Sequence, residues 1–396
     1  MIPKLKPAGA ELLEHPSFLQ ALSLASEHAA DVDRNARFPA EAIAALRAAG
    51  AMSWLVPREL GGAGASLAEA ARAVFELSRR CASTGMIFAM HQIQIGCIAR
   101  HAAASPWFAQ YLKRVAREQR LIASATSELG TGGDIRRSIA AIHPAPDAEP
   151  LLRFEKKATT ISYGASADDL LTTVRRSPGS EPGDQVLVLT HLSQTQMQQT
   201  DPWDTLGMRG TCSPGFALQA TFPPEQILPA PFATISAETM VPFSHILWSH
   251  VWLGLASEAF DRAQSFVRKQ ARQTPGATPP SALRLAELSV RMAQFRAMVE
   301  SALEDYAGLT ARGDRAALST VGFAVRINNL KISASEAALE ACLGALRVCG
   351  VAGYKNDGPF SIGRNLRDAH SAALMIANDR LYSTNASLLL VHREGK

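Results

Sequence analysis

The chain has 396 residues, of which 47% are hydrophobic and 19% are charged, and its formal net charge is +4. This length predicts two or three packed domains with a large core. Arginine pairs are scattered at 79–80, 136–137 and 175–176, which argues against a nucleic-acid surface. The five cysteines include no Cys-x-x-Cys pair, so we expect neither disulfides nor a structural metal. Without a signal-peptide core or an apolar run near 20 residues, the sequence predicts a cytoplasmic protein with no membrane contact.

Residues 1–120 are predicted to form an N-terminal helical domain. Phe38, Ile43 and Leu46 recur at near-helical spacing within an alanine-rich stretch, residues 29–50, which predicts a helix there. A loop follows at 57–64, where Pro and Gly break the pattern. Ser66 and Glu69 then form the Ser-x-x-Glu pattern of a capping box, so the next helix is expected to begin at this point.

Residues 121–230 differ in composition and are predicted to form a small central β-barrel. Alternating β-branched and apolar residues occur at 170–174, 186–190 and 216–222, separated by turns rich in Pro, Gly and Asp. The run 186–189 is almost continuously apolar, as a strand covered on both faces would be.

Residues 231–396 are predicted to form a helical bundle, which makes the chain an α+β protein. From residue 285 the apolar positions advance by alternating steps of three and four, the spacing of a seam between antiparallel helices. These positions are Leu288, Met292, Phe295, Val299, Ala302 and Tyr306. Small residues at Ala334, Ala337, Ala341 and Gly344 form a stripe that would permit close helix packing.

Two segments of the central domain, residues 121–134 and 160–168, each join a hydroxyl-bearing strand to a loop rich in Gly or Ala. Glycine lets a flat polar ligand approach the backbone, because it has no side chain and tolerates positive φ. Both segments resemble the middle domain of acyl-CoA dehydrogenases. The loops at 57–62 and 203–213 are also similar to that family, and so is the order of helices, barrel and four-helix bundle.

The resemblance implies a flavoprotein that binds FAD between the barrel and the bundle. Ser127 and Ser162 would hydrogen-bond the flavin ring, and Thr126, Thr160 and Ile161 would add backbone contacts. Family members usually place a Trp against the ring where this chain has Thr160, and the nearby Tyr163 is a possible substitute for it.

The family also shares its cofactor between subunits, which implies a homodimer or homotetramer. Arg272 and Arg347, with Gly350 beside the latter, would reach the tail of a neighbour's FAD. Gly133 and His245 correspond to positions along the substrate, although family members often have a Ser in place of Gly133.

The largest departure from the family concerns the catalytic base. Family dehydrogenases remove the α-proton of an acyl thioester with a Glu while a hydride passes to the flavin. Here the usual Glu position is Ile376, and the alternative position is about Ser244. Asp379 lies three residues beyond Ile376, so the two share about the same helix face, and Asp379 is a candidate for a displaced base. The alternative interpretation is an aspartate on the helix surface with no catalytic role.

Histidines offer a different chemistry on the same fold. Flavin monooxygenases of this fold often place a His from the region of His91, or from the last helix, near the flavin. His370 belongs to that last helix, whereas a lone His on an apolar helix more often has a structural role. His245 and His250 lie five residues apart with no carboxylates around them, so no metal site is predicted.

Three functions therefore remain open at this stage. The first is an FAD-dependent dehydrogenase of acyl-CoA or acyl-carrier protein, with an electron-transfer flavoprotein as a possible partner. The second is a monooxygenase that takes reduced FMN or FAD from a separate flavin reductase. The third is a non-catalytic relative that keeps only the scaffold.

Overall fold

The structure is a computed structural model that describes residues 10–102, 104–146, 149–273 and 275–391. Helices occupy both ends of the chain and two small sheets lie between them, which confirms the predicted α+β architecture. None of the helices within the described ranges is long and apolar enough to span a bilayer.

The N-terminal part is helical, as predicted. Its helices are α1 (Ala10–Glu14), α2 (Pro16–Asn35), α3 (Ala40–Ala48), α4 (Leu67–Arg80), α5 (Ala82–His101) and α6 (Pro106–Glu118). The capping box at the start of α4 is present, because the Glu69 amide donates to the Ser66 hydroxyl while the Ser66 amide donates to the Glu69 carboxylate. Residues 29–50 belong to two helices rather than one, because Ala36 is left-handed (φ 48°) and Pro39 has no amide proton to donate.

Two sheets follow. The strands are β1 (Ile122–Ala125), β2 (His143–Pro144), β3 (Leu152–Ala158), β4 (Asp169–Arg175), β5 (Gln185–His191), β6 (Thr195–Gln199) and β7 (Phe216–Phe222). In the first sheet β4 lies between β1, its parallel neighbour, and β5, its antiparallel neighbour. The second sheet is antiparallel with the order β2-β3-β7-β6. β4 and β5 are buried along almost their whole length, which confirms that strand 186–190 is covered on both faces.

The C-terminal part is a helical bundle. Its helices are α7 (Phe232–Ile235), α8 (Val241–Gln273), α9 (Ser281–Ala311), α10 (Arg315–Leu318), α11 (Val321–Cys349), α12 (Val351–Tyr354), α13 (Gly363–His370) and α14 (Asn378–Leu389). The seam on α9 is buried at five of its six predicted positions, and the sixth, Ala302, is partly buried. Gly344 permits the close approach of α11 to α9, because a Cβ there would lie 2.9 Å from a Leu288 methyl group.

Asp368 connects the bundle to the sheets. This buried carboxylate on α13 accepts a hydrogen bond from the Met208 amide, and burial raises its pKa to about 6. The neighbouring Gly207 lies against the backbone of Arg367, where a Cβ would come within 2.1 Å of the Arg367 carbonyl oxygen. Only glycine fits at this contact, so the 203–213 loop is held directly against α13.

Asp169 connects the sheets to the N-terminal helices. It is buried at the start of β4 and accepts hydrogen bonds from Arg120 (2.6 and 2.7 Å) and the Tyr111 hydroxyl (2.7 Å). The His191 ring lies 2.6 Å from the same carboxylate. Burial opposes the charged form, but the hydrogen bonds from Arg120, His191 and Tyr111 hold the Asp169 pKa below its ordinary value.

We expect Asp169→Asn to lower the free energy of unfolding by about 3 kcal/mol, because it removes the buried counter-charge of Arg120 and leaves only the more exposed Glu118 to pair with that guanidinium. Urea unfolding at pH 7 measures this change. The lowered pKa stabilises the fold above about pH 4, so the difference from wild type should narrow in acid. Asp184→Asn, which removes a partner of the exposed Arg176, is the control and should change stability by about 0.5 kcal/mol or less. An equal loss in both variants would contradict the prediction.

Candidate active site

The two hydroxyl-bearing segments predicted from the sequence lie next to each other. β1 ends at Ala125, and the chain continues into Ser127, which faces the loop that follows β3. The Ser127 hydroxyl donates to the Thr160 carbonyl oxygen (2.9 Å) and accepts from the Thr160 amide (3.1 Å). Ser127 thus joins the two segments, while Thr126 is half-buried and Thr160 is exposed.

Ser162 stands at the end of a chain of hydroxyl groups. Ser213 donates to the Ser162 hydroxyl (2.9 Å) and lies 2.9 Å from the Thr211 hydroxyl, which donates to the Met208 carbonyl oxygen. Ser162 is half-buried and accepts in this chain, so its own proton remains available for a ligand. Because Met208 is also bound by Asp368, this chain links Ser162 to α13.

The Gly-rich loop after Ser127 is anchored by Glu128. The buried Glu128 carboxylate accepts from the Ser138 hydroxyl (2.7 Å) and from the amides of Ile139 (3.1 Å) and Ala140 (2.7 Å). Lys156 lies 3.5 Å from it, and burial lowers the Lys156 pKa to about 8. The base of the loop is therefore fixed by a buried charge pair.

The start of α14 lies beside the tip of this loop. Gly132 and Gly133 have positive φ values (61° and 79°), and a Cβ on Gly133 would lie 3.3 Å from the Arg380 guanidinium. Ile376 also has a positive φ (49°), an uncommon conformation for a β-branched residue. The buried Lys331 ammonium on α11 holds this turn, because it donates to the Ile376 carbonyl oxygen (2.8 Å) and to Asn378 Oδ1 (2.7 Å).

A largely apolar cavity of about 290 Å³ lies between the Gly-rich loop, the start of α8 and α11. Arg136 lines it from the loop, and Gln185, Thr320 and Asn328 supply other polar groups. A π-helical turn, Ser236–Met240, forms the wall that leads into α8, and such turns are frequent at functional sites. No carboxylate occurs among the described residues that line this cavity.

These donors and walls fit an isoalloxazine ring. A flat ligand with carbonyl and ring-nitrogen groups needs a few fixed hydroxyl and amide partners, which Ser127 and Ser162 provide. It also needs a backbone surface without side chains, which Gly132 and Gly133 provide.

Comparison with known families shows which family the chain belongs to. Residues 21–119 match the acyl-CoA dehydrogenase N-terminal domain, and residues 237–375 match the acyl-CoA dehydrogenase C-terminal domain, which together cover more than half of the chain. The chain belongs to the acyl-CoA dehydrogenase superfamily. It is a flavoenzyme of that fold, as the resemblance implied.

Individual relatives of this superfamily member include enzymes of two kinds. A dibenzothiophene monooxygenase of Mycolicibacterium goodii is 26% identical over 81% of each chain. A probable acyl-CoA dehydrogenase of Mycobacterium leprae is 28% identical over 86% of this chain and 85% of its own. Among solved structures, FMN-bound TdsC from Paenibacillus sp. A11-2 has a TM-score of 0.80 at 22% identity, covering 96% of this chain and 98% of that one.

Several predicted site residues are buried and already bonded. His91 has no exposed surface; its Nε2 lies 2.7 Å from the Met52 carbonyl oxygen, and its Nδ1 accepts from the Ile122 amide (3.1 Å). Burial lowers the His91 pKa to about 4, so the ring is neutral and ties α5 to β1. Ile161 is fully buried too, and its amide donates to Pro214. Tyr163 is equally buried, and its hydroxyl donates to the Ile122 carbonyl oxygen. Its ring therefore does not take the place of the Trp that family members have against the flavin.

His245, predicted along the substrate, is also inside the bundle. Its Nδ1 lies 3.0 Å from the Ile327 carbonyl oxygen, next to the wall of the apolar cavity, and burial lowers its pKa to about 4. Its ring packs beside Trp248, with the two centroids 6.0 Å apart. His245 therefore supports the cavity from behind rather than lining it.

Two further candidates lie at the surface: Asp379 as a displaced base, and His370 as a histidine near the flavin. Asp379 is exposed in the first turn of α14, and His370 is exposed at the end of α13. Abstraction of an α-proton needs a carboxylate in a dry site, where desolvation raises its pKa, and the exposed position of Asp379 does not supply this. Ile376 itself is half-buried and apolar.

The residues predicted to reach a neighbour's cofactor lie together at one end of the bundle. Arg272 is near the C-terminus of α8, and Arg347 is near the C-terminus of α11; both are exposed. Gly350 follows α11 with a positive φ (56°). Arg284, at the start of α9, donates to the Arg347 carbonyl oxygen (3.4 Å).

Sequence reasoning missed Glu128 and Lys331, two of the buried charges that fix the edges of the site. Glu128 directly follows Ser127 but stands in a polar loop, where a carboxylate is normally solvated. Lys331 lies at helical spacing from the apolar Ile327, Ala334 and Ala338, which was the one available signal, because lysine is rarely buried without a specific partner.

We expect Glu128→Gln to lower the free energy of unfolding by about 3 kcal/mol, because it leaves the Lys156 ammonium buried without a carboxylate. Amide exchange in residues 129–140 should become faster, since the anchor of the loop is weakened. Hydrogen-exchange mass spectrometry and urea unfolding measure the two effects.

The double variant Glu128→Gln/Lys156→Met is the matched control. It removes both charges and should recover part of the lost stability. If the double variant were less stable than Glu128→Gln alone, the charge pair would not be the anchor.

Proposed function

We propose that this protein is a flavin-dependent monooxygenase that uses reduced FMN from a separate reductase to oxygenate a small, largely apolar molecule. The observation that carries the proposal is the turn at Ile376, where the family's dehydrogenases have their Glu. This turn presents an aliphatic side chain, and its conformation is held by Lys331 through the backbone. A cavity with no carboxylate among its described lining residues suits oxygen transfer better than α-proton abstraction.

The cavity supports the same reaction. Its volume of about 290 Å³ is at the lower end of ligand sites and suits a compact substrate rather than a long acyl thioester. Its apolar wall would exclude water from the oxygen-transfer step, while Asn328 and Gln185 supply the polar contacts that orient a substrate. The similarity to dibenzothiophene monooxygenase over 81% of each chain is further support.

Reduced flavin supplies the two electrons with which O₂ delivers one oxygen atom to the substrate and the other to water. This chain's residues hold the ring. The Ser162 hydroxyl would donate a hydrogen bond to an acceptor atom of the flavin ring. Ser127 and Thr126 would bind the same edge of that ring. Arg272, Arg347 and Gly350 would contact a neighbour's flavin in a homotetramer, which their exposed positions allow.

The alternative reaction is acyl-CoA dehydrogenation with bound FAD, which the relative from Mycobacterium leprae favours. In that case Asp379 would be the base, Gly133 would lie along the acyl-CoA, and an electron-transfer flavoprotein would accept the electrons. The two reactions differ in their need for a reductase and for O₂.

Purified protein supplied with a flavin reductase, NADH and FMN should oxygenate dibenzothiophene or a related thiophene in air, giving products 16 mass units heavier per oxygen atom. Mass spectrometry with ¹⁸O₂ identifies the source of the oxygen. The Asp379→Asn variant should oxygenate the substrate at the wild-type rate, because the proposed reaction needs no base at this position. Anaerobic bleaching of the bound flavin by a panel of acyl-CoAs, abolished by Asp379→Asn, would instead establish the dehydrogenase.

We expect Ser162→Ala to weaken flavin binding about fivefold, because it removes one hydrogen bond worth about 1 kcal/mol. Ser127→Ala should weaken it at least as much, since Ser127 also joins the two segments. Fluorescence titration with FMN measures the affinity. Ser193→Ala, at an exposed turn, is the control and should bind like wild type; unchanged affinity in all three variants would remove both serines from the flavin site.

A further inference from the structure

A second and larger cleft, of about 830 Å³, lies between the N-terminal helices, the 205–209 loop and the bundle. None of the residues assigned above to the flavin or to the apolar cavity lines it. Seven arginines and three carboxylates line this cleft, a net charge of +4 when all are ionised. The net charge of the whole chain is also +4, so the charged residues outside the cleft sum to zero. The excess positive charge of the protein therefore lies in the cleft.

Four of the arginines are held by ion pairs with carboxylates in or near the cleft. The pairs are Arg79 with Asp261, Arg209 with Asp204, Arg262 with Glu258, and Arg367 with Asp33. Backbone carbonyl oxygens add to this set: Arg262 donates to Ser361 (2.7 Å), and Arg209 donates to Thr205 (2.8 Å) and Asp33 (2.8 Å). Arg367 donates to Leu206 (3.1 Å). These contacts make the walls of the cleft rigid.

The other three arginines have no carboxylate partner among the described residues. They come from three different elements: Arg34 from α2, Arg80 from the end of α4, and Arg364 from α13. Arg80 and Arg364 are half-buried, and Arg364 donates to the Arg80 carbonyl oxygen (3.4 Å), which holds the two elements together. Nε of Arg79 is buried in the same wall and has no hydrogen-bond partner. The only carboxylate of the described lining without an ion pair is Asp357.

Unpaired guanidinium groups in one concave site repel each other unless an anion lies between them. The three unpaired guanidinium groups together carry a charge of +3, which an anion with about three negative charges would balance. A single phosphate carries fewer charges than this near neutral pH. Guanidinium forks bind phosphate oxygens in pairs, and the cleft has the size of a site for a nucleotide rather than for a single ion. Its concave shape also favours a small molecule over an extended polymer.

We propose that this cleft binds the diphosphate group of a small molecule, such as a nucleoside diphosphate, at a site separate from the flavin. The unpaired Arg34, Arg80 and Arg364 would hold the phosphate oxygens, and the paired arginines would keep the walls in place. The inference does not depend on which reaction the enzyme catalyses.

Calorimetric titration of the full-length protein with inorganic pyrophosphate in 50 mM NaCl tests the proposal. Wild type should bind one pyrophosphate per chain, and the affinity should fall as NaCl is raised, because the contacts are electrostatic. Arg80→Gln/Arg364→Gln should weaken binding tenfold or more. Asp357→Asn should tighten it several-fold, because it removes the one unpaired negative charge of the lining.

Arg291→Gln, on the exposed face of α9 where Arg291 pairs with Glu340, is the matched control and should bind pyrophosphate like wild type. Circular dichroism verifies the fold of each variant, and Asp357→Asn tests the site even if the double variant does not fold. No binding to wild type at millimolar pyrophosphate, or equal affinity in wild type and the double variant, would overturn the proposal. Tighter binding of citrate would overturn the assignment to phosphate, and competition by FMN would overturn the separation from the flavin site.

Discussion

The contact between Asp368 and the Met208 amide is the constraint on which the arrangement of the site depends. It requires a glycine at position 207, because the backbone of Arg367 occupies the space that a side chain would need. It also places a carboxylate where burial raises its pKa to about 6. A loop of the sheet domain is thus fixed to α13, and the same loop carries Ser213, which binds Ser162.

Both edges of the proposed flavin site are held by buried charges that do not face the ligand themselves. Glu128 and Lys156 fix the base of the Gly-rich loop, and Lys331 fixes the turn at Ile376. Buried charges cost desolvation energy, and they are tolerated here because several hydrogen bonds satisfy each of them. A site built in this way has its donors in position before a ligand arrives, which lowers the entropic cost of binding.

The sequence predicts those parts of the structure in which local pattern and tertiary contact agree. The seam on α9 and the capping box at Ser66 depend on spacing alone, and both are confirmed. Ser127 and Thr160 belong to the two segments that resemble one family, but the hydrogen bonds between them become visible only in the structure. His91 shows where such reasoning ends, because a histidine on an apolar helix has the same sequence pattern whether it faces a ligand or bonds two backbone groups. The partners of His91, Met52 and Ile122, are far apart in sequence and are brought to it only by the fold.

The same distinction explains why function is harder to predict than fold in this superfamily. A dehydrogenase and a monooxygenase of this architecture need the same helices, the same sheets and the same polar edges for a flavin. What separates them is the surroundings of one face of the ring, where proton abstraction needs a carboxylate and oxygen transfer needs an apolar wall. Under the proposed function the turn carries Ile376 in place of a base, and Lys331 binds the carbonyl oxygen of that same residue. A different side chain at position 376 can alter the reaction without loosening the turn, because Lys331 binds the backbone carbonyl oxygen, which is the same for either residue.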